Sequence, residues 1–143
     1  MALNVSAKVH YACLAMLELA KHHVQPKPVQ MRKLADAHGI SSQFLVQILL
    51  QLKTARLVVS TRGAGGGYRL SRMPAEISIG DIVRAVEGPP ESREDDSSLD
   101  PTAVTLNQMF QDLDDHIWTR FDTKSLQDLV EEVPVSNEPM YYI

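Results

Sequence analysis

The sequence of 143 residues contains a single cysteine, Cys13. One thiol rules out an intramolecular disulfide and is too few for the usual all-thiolate zinc or iron–sulfur sites. No apolar run approaches the roughly 18 residues that span a bilayer, so no membrane segment is expected. Lys8, Glu18 and Lys21 surround the apolar stretch from Tyr11 to Leu17, and no small-residue cleavage site follows it. That pattern argues against a secretory signal and for a cytoplasmic protein. His10, His22, His23, His38 and His116 form no His-x-x-x-His pair, so no metal site and no cofactor are expected. The run Gly63-x-Gly65 departs from the dinucleotide pattern at Tyr68, and no Gly-Lys-Ser/Thr follows to make a phosphate loop. No Ser-His-Asp ordering or catalytic loop stands out, which makes a small enzyme the least favoured class.

Acidic residues are scarce at the start of the chain. Residues 1–80 hold ten Lys/Arg against Glu18, Asp36 and Glu76, a balance of +7, whereas the remainder carries −11 and brings the total to −4. A basic half suggests a polyanionic partner, because Lys and Arg gain affinity for phosphates by releasing counterions. The acidic half is expected to face away from it. With 44% hydrophobic and 22% charged residues, the chain has what a globular core requires.

Apolar residues at Val9, Ala12, Cys13, Met16, Leu17 and Ala20 recur at spacings of three and four, which predicts an amphipathic helix from about Ser6 to His22. Pro26 and Pro28 interrupt it. A short helix is expected over Gln30–Ala37, buried through Met31, Leu34 and Ala35 and stopped at His38-Gly39. Ser41 is a good N-cap for a third helix to about Ala55, buried through Phe44, Leu45, Ile48, Leu49 and Leu52. Two helices joined by so tight a turn read as helix-turn-helix.

Leu57–Thr61 is rich in β-branched residues, the glycine-rich run Arg62–Gly67 cannot hold regular structure, and Tyr68–Leu70 can pair back. This predicts a β-hairpin wing. Ser78 and Asp81 make a capping-box start, stapled by Ile77 and Ile82, for a fourth helix to about Val86. The stretch from Gly88 to about Pro101 is Pro-, Ser- and acid-rich and reads as a linker. Leu106, Phe110, Leu113, Ile117 and Phe121 then recur at helical spacing on a long helix, with Met109 and Trp118 beside them. Ser125 and Asp128 cap a last short helix, and the acids Asp112, Asp114 and Asp115 read as the wet face of the long one.

The recognition helix is expected to present Ser41, Ser42, Gln43, Val46 and Gln47 near its N-terminus. Gln can bond adenine edges in the major groove, and Ser can bond bases or phosphate. Arg62 at the wing tip suits a narrow minor groove, and Gly63 beside it lets the backbone approach phosphate.

The segments Ser6-x-Lys8-x-x-Tyr11-Ala12, Gly39-Ile40-Ser41, Leu57-Val58-x-Ser60-x-Arg62-Gly63-x-Gly65-Gly66-Gly67-Tyr68-x-Leu70 and Ile79-x-Asp81-Ile82-x-x-Ala85-Val86-Glu87-Gly88 resemble a family of winged-helix regulators. That family includes the iron–sulfur cluster regulator, the nitric-oxide-sensing repressor and the cysteine-metabolism repressor. The resemblance implies a mainly α fold with a small β-hairpin wing, in a homodimer whose long helix, about Thr102–Phe121, packs across the twofold axis. It implies DNA contacts at Ser41, Gln47, Ser60 and Arg62, with Lys8 and Tyr11 near the backbone of a double-stranded operator.

Two departures from the family pattern carry consequences. Cluster-binding members place three cysteines between the fourth helix and the start of the long helix, where this chain has none from Glu91 to Phe110, and Asn107 stands where some place a histidine. Val46 occupies a position that several members fill with glutamate, so the operator need not resemble theirs. Without cysteines the resemblance is closest to the cysteine-metabolism branch. There it implies a cysteine synthase (O-acetylserine thiol-lyase) partner, with Tyr141, Tyr142 and the Ile143 carboxylate as a docking tail. Cys13, on the buried stripe of helix 1, reads as a small core residue.

The expected layout is a winged helix-turn-helix DNA-binding domain over 1–87 and a flexible acidic linker over 88–101. A dimerisation helix with a short helix follows over 102–131, then a tail over 132–143. The expected function is a dimeric DNA-binding repressor without an iron–sulfur cluster. The alternative is an adaptor that binds an enzyme through its tail and DNA only weakly.

Overall fold

The computed structural model of the chain describes residues 5–24, 27–89 and 100–134. Three helices come first: α1 (Ala7–Lys21), α2 (Met31–His38) and α3 (Ser42–Thr54). The hairpin β1 (Val58–Thr61) and β2 (Gly67–Leu70) follows, then a 3₁₀ turn (Pro74–Glu76), α4 (Ile79–Glu87), α5 (Pro101–Thr123) and α6 (Leu126–Glu132). This is a winged helix-turn-helix with a long helix appended. Among the described residues, no helix is long and apolar enough to cross a membrane.

Every α-helix except α2, whose N-cap Gln30 makes no side-chain cap, starts at a side-chain cap. The hydroxyls of Ser6, Ser41, Ser78 and Ser125 accept from the backbone N–H three residues on, and Asp100 does the same for α5. At Ser78 and Ser125 the capping box is complete, with Asp81 and Asp128 returning a bond to the cap's own N–H. Ser6 also donates to the Glu87 carboxylate, which ties the start of α1 to the end of α4. Gly39 closes α2 in the left-handed conformation at φ 65°, and only Ile40 separates it from the next cap.

The connection from α3 to β1 uses the same left-handed device without a glycine. Arg56 has φ 63°, Leu57 N–H donates to Leu52 O and Arg56 N–H to Lys53 O, each at 2.9 Å. This is a Schellman closure whose apolar pair, Leu52 and Leu57, is buried. An L side chain in that conformation costs about 1–2 kcal/mol, part of which glycine gives back through its freer unfolded chain. Arg56→Gly is therefore expected to stabilise the fold by about 0.5–1 kcal/mol, measured as a higher urea midpoint at unchanged m-value.

The core is one cluster built around α1. That helix packs on α2, α3, α4, α6 and β2, so its burial extends beyond a narrow stripe to Ala15 and Leu19. Cys13 and Leu17 are half-buried against the same cluster. Met16, Leu34, Leu45, Ile48, Leu49, Leu52, Ile77 and Ile82 are fully buried. Burying such a side chain contributes about 1.5–3 kcal/mol. Leu126 of α6 is also fully buried there, on α1 and the 3₁₀ turn, so the chain after the long helix returns to the winged domain.

Candidate nucleic-acid interface

Helix α3 has two unlike faces. Leu45, Ile48, Leu49 and Leu52 are buried, whereas Ser41, Ser42, Gln43, Val46 and Gln47 are exposed, the cap and first turns of α3. Leu50 continues that outer face with 63% exposure, and Val46 has 49%. A face carrying two Gln amides and two aliphatic side chains can bond adenine edges and touch thymine methyls. Leu50 is an addition that the sequence hides among the core leucines around it.

Tyr11 and Lys8 lie on α1, both half-buried. The Tyr11 ring meets Phe44 edge-on, with centroids 5.6 Å apart at 88°. This contact braces the first turn of α3 against α1 and leaves Phe44 half-buried at the rim of the core.

The wing is antiparallel, with Val58 opposite Leu70 and Ser60 opposite Tyr68. Arg62 and Gly63 sit at its tip, both exposed, and Gly63 takes φ 103°. Gly66 N–H donates to Gly63 O at 3.0 Å and closes the tip. A Cβ at Gly66 would run into the Thr61 carbonyl, and one at Gly67 into that of Val29, so two of the wing glycines are needed for close backbone approach. Val29 and Tyr68 exchange two backbone hydrogen bonds of 2.8 Å. They pin β2, near its tip end, to the segment that leads into α2. Sequence reasoning missed this bridge, whose one signal is a β-branched residue directly after Pro28.

Beside that bridge, a cleft of about 310 Å³ runs between the end of α1 and the wing. Lys27 and Arg69 line it, both exposed, together with His22 and His23. On α1, burial pushes the Glu18 carboxyl up, but hydrogen bonds with His38 and His22 and the charge of Lys21 outweigh it and leave Glu18 below its ordinary pKa. Glu18 bonds His22 at 3.2 Å and His38 at 3.1 Å, which joins α1 to the end of α2 and holds the helix-turn-helix in place.

On α5 the apolar positions divide. Leu106 and Leu113 are 49% and 47% exposed, with Met109 at 50%, while Phe110, Ile117 and Phe121 are half-buried. Phe121 and Trp118 turn toward the core of their own chain and meet edge-on, 5.7 Å apart. Tyr141, Tyr142 and Ile143 lie outside the described residues, as does most of the 88–101 segment.

The sequence pattern of the Rrf2 family, described as "Iron-dependent Transcriptional regulator", matches residues 5–132. The chain belongs to the Rrf2 family. It is similar to the HTH-type transcriptional regulator CymR of Bacillus subtilis, at 32% identity over 99% of this chain and 100% of that one. A protein of Mycobacterium tuberculosis named "Putative HTH-type transcriptional regulator" is 48% identical over 87 residues, 61% of this chain but 53% of that protein, so the match spans about half of that relative. Among solved structures, CymR, titled the global cysteine regulator of B. subtilis, superposes with TM-score 0.80 at 32% identity, over 92% of this chain and 98% of that one. T. potens IscR gives 0.77 at 31%, over 99% and 100%. These relatives are named as regulators, and this Rrf2 chain is a DNA-binding regulator rather than an enzyme.

The donor set of this regulator does not fit an iron–sulfur cluster. Its one cysteine, Cys13, sits half-buried on α1, and burial pushes the thiol up to about 11. With its pKa raised in this way the thiol is protonated at neutral pH, which makes it a weak nucleophile. Among the described residues, no three His, Cys, Asp or Glu side chains are placed to hold a metal ion.

Proposed function

We propose that this Rrf2 regulator is a dimeric repressor that binds a dyad-symmetric operator without an iron–sulfur cluster. The observation that carries the reading is the outer face of α3. Five neighbouring polar and aliphatic side chains, Ser42, Gln43, Val46, Gln47 and Leu50, stand exposed on a helix whose opposite face is locked in the core. In this reading α3 enters the major groove, Arg62 and Gly63 reach the adjacent minor groove, and Ser41 and Ser60 bond phosphate or base edges. Lys8 and Tyr11 lie along the backbone. Leu106, Phe110, Leu113 and Ile117, with the margin of Phe121, form the dimer seam along α5.

The finer part of the proposal is control of cysteine or sulfur metabolism through a cysteine synthase. Its support is the full-length similarity to CymR, named as a cysteine regulator, together with the aromatic-aromatic-isoleucine sequence at 141–143. In this reading Tyr141, Tyr142 and Ile143 dock on the enzyme. The test pairs footprinting with pull-down. The full chain is expected to protect two symmetric half-sites and to bind cysteine synthase. A chain lacking residues 141–143 is expected to keep the footprint and lose the enzyme by at least about tenfold in affinity. Undiminished enzyme binding by the shortened chain contradicts the docking reading. A single unsymmetric footprint contradicts the dimeric one.

A further inference from the structure

The described contacts between the winged domain and α5 converge on the C-terminal end of the long helix. Arg84 of α4 donates from both Nη1 and Nη2 to the two carboxylate oxygens of Asp122, each at 2.7 Å. Its guanidinium also lies over Trp118, one turn earlier on α5, 4.6 Å from the ring centroid. Gly80 faces the same carboxylate, and a Cβ there would run into Asp122 Oδ1. Just beyond, Ile79 N–H donates to Lys124 O and Leu126 N–H to Ile77 O, each at 2.9 Å. Leu106, Met109 and Leu113, nearer the N-terminus of α5, are about half exposed, and none of the 23 residues of the helix is fully buried.

Exposure limits what the ion pair in this cluster adds to stability. The Arg84 and Asp122 side chains are 37% and 41% exposed, and exposed pairs contribute about 0–1 kcal/mol. A bidentate pair supplies direction instead, because the planar guanidinium fixes both the distance and the angle of the carboxylate it grips. With the indole beneath the guanidinium and no side chain on Gly80, Asp122 has one seat. The hydrogen bonds from Arg84 lower the Asp122 pKa, so the grip persists at neutral pH.

We propose that the joint of Arg84, Asp122, Trp118 and Gly80 sets the angle between α5 and the winged domain, and through it the half-site separation that the dimer reads. The inference rests on the dimeric reading above. Its magnitude follows from leverage. The 23 residues of α5 span roughly 34 Å at about 1.5 Å each. A tilt of about 10° at one end moves the other by about 6 Å, close to two base-pair steps of about 3.4 Å. Arg84, Asp122 and Gly80 are thus positioning residues for operator spacing, away from the DNA-reading face.

The test uses the full chain and duplexes carrying, as inverted repeats, the half-site that the wild type selects from a random library. The separation is varied one base pair at a time. The wild type is expected to prefer one separation over those two base pairs away by at least about tenfold. Arg84→Met, Asp122→Asn and Gly80→Ala each reduce that preference below about threefold or move the optimum by one or two base pairs. Affinity for a single half-site and the dimer mass stay as in the wild type. Arg84→Lys keeps the charge without the fork and is expected to behave like Arg84→Met. Wild-type spacing profiles in Arg84→Met and Asp122→Asn overturn the proposal, and rescue by Arg84→Lys overturns its directional basis. A dimeric wild type indifferent to spacing overturns it too and leaves the operator reading standing. A monomeric wild type, or one that selects no symmetric site, removes that reading itself.

Discussion

Aspartate at both Leu106 and Leu113 is expected to leave the protein folded, monomeric and at least about 100-fold weaker on its operator. The two leucines are about half exposed on α5, one turn and three turns into the helix, and outside the core cluster. Removing them therefore costs the winged domain little. A carboxylate at each position places four like charges in the proposed seam of a dimer, where desolvation and repulsion both oppose association. The DNA then meets one reading head at a time, and a second half-site no longer binds from an effective concentration set by the first. Sedimentation equilibrium reads the mass, circular dichroism the fold, and anisotropy the affinity. A dimer that survives both substitutions places the seam elsewhere.

Arg62→Ala is the second large effect. Arg62 stands exposed between the end of β1 and Gly63, on a wing whose second strand is held by the Val29–Tyr68 bridge. Its position is thus given by the sheet, while its side chain is free to follow the groove. An arginine in a narrow minor groove meets enhanced negative potential, and losing such a contact costs about 1–3 kcal/mol. The expected loss is five- to 150-fold in affinity at the operator, with a smaller loss on random DNA. Arg62→Lys keeps the charge but not the planar fork and is expected to fall between. Melting temperature stays unchanged, since the side chain touches no part of the core.

The elements were legible in the sequence wherever a local device fixes them. Ser41, Ser78 and Ser125 announce their helices through cap chemistry, Gly39 announces a stop, and the run from Arg62 to Gly67 can only be a wing tip. In each case the signal is short-range, because the partner atoms lie within a few residues. Burial on α1 was only partly legible. The helix is enclosed by several neighbours, so the apolar pattern is broader than a single stripe, and Ala15 and Leu19 join Val9, Ala12 and Met16 in the core. The Val29–Tyr68 bridge and the Arg84–Asp122 joint were not legible at all. Both join residues 38 or more positions apart, which no periodicity reports.

The interface follows the same division. Ser41, Ser42, Gln43 and Gln47 could be placed on the outer face by counting from the cap. Leu50 could not, because an exposed leucine and a core leucine look alike in a sequence that alternates Leu45, Ile48, Leu49, Leu50 and Leu52. The stripe on α5 reads as uniform in sequence, yet the fold divides it. Trp118 sits beneath Arg84 and Phe121 turns inward, which leaves Leu106, Met109 and Leu113 as the exposed members of the stripe. The appended α6 explains that division, since Leu126 must reach the core beneath α1 and draws the end of α5 with it.

The measurement that bears most directly on the central claim is anisotropy of the protein on its own upstream DNA, titrated over a range of salt with Arg62→Ala alongside. The account predicts tight binding that weakens steeply as salt rises and that depends on Arg62, with clear preference over a random duplex of equal length. Binding to the upstream DNA no tighter than to random duplex, with Arg62→Ala equal to the wild type on both, would contradict it.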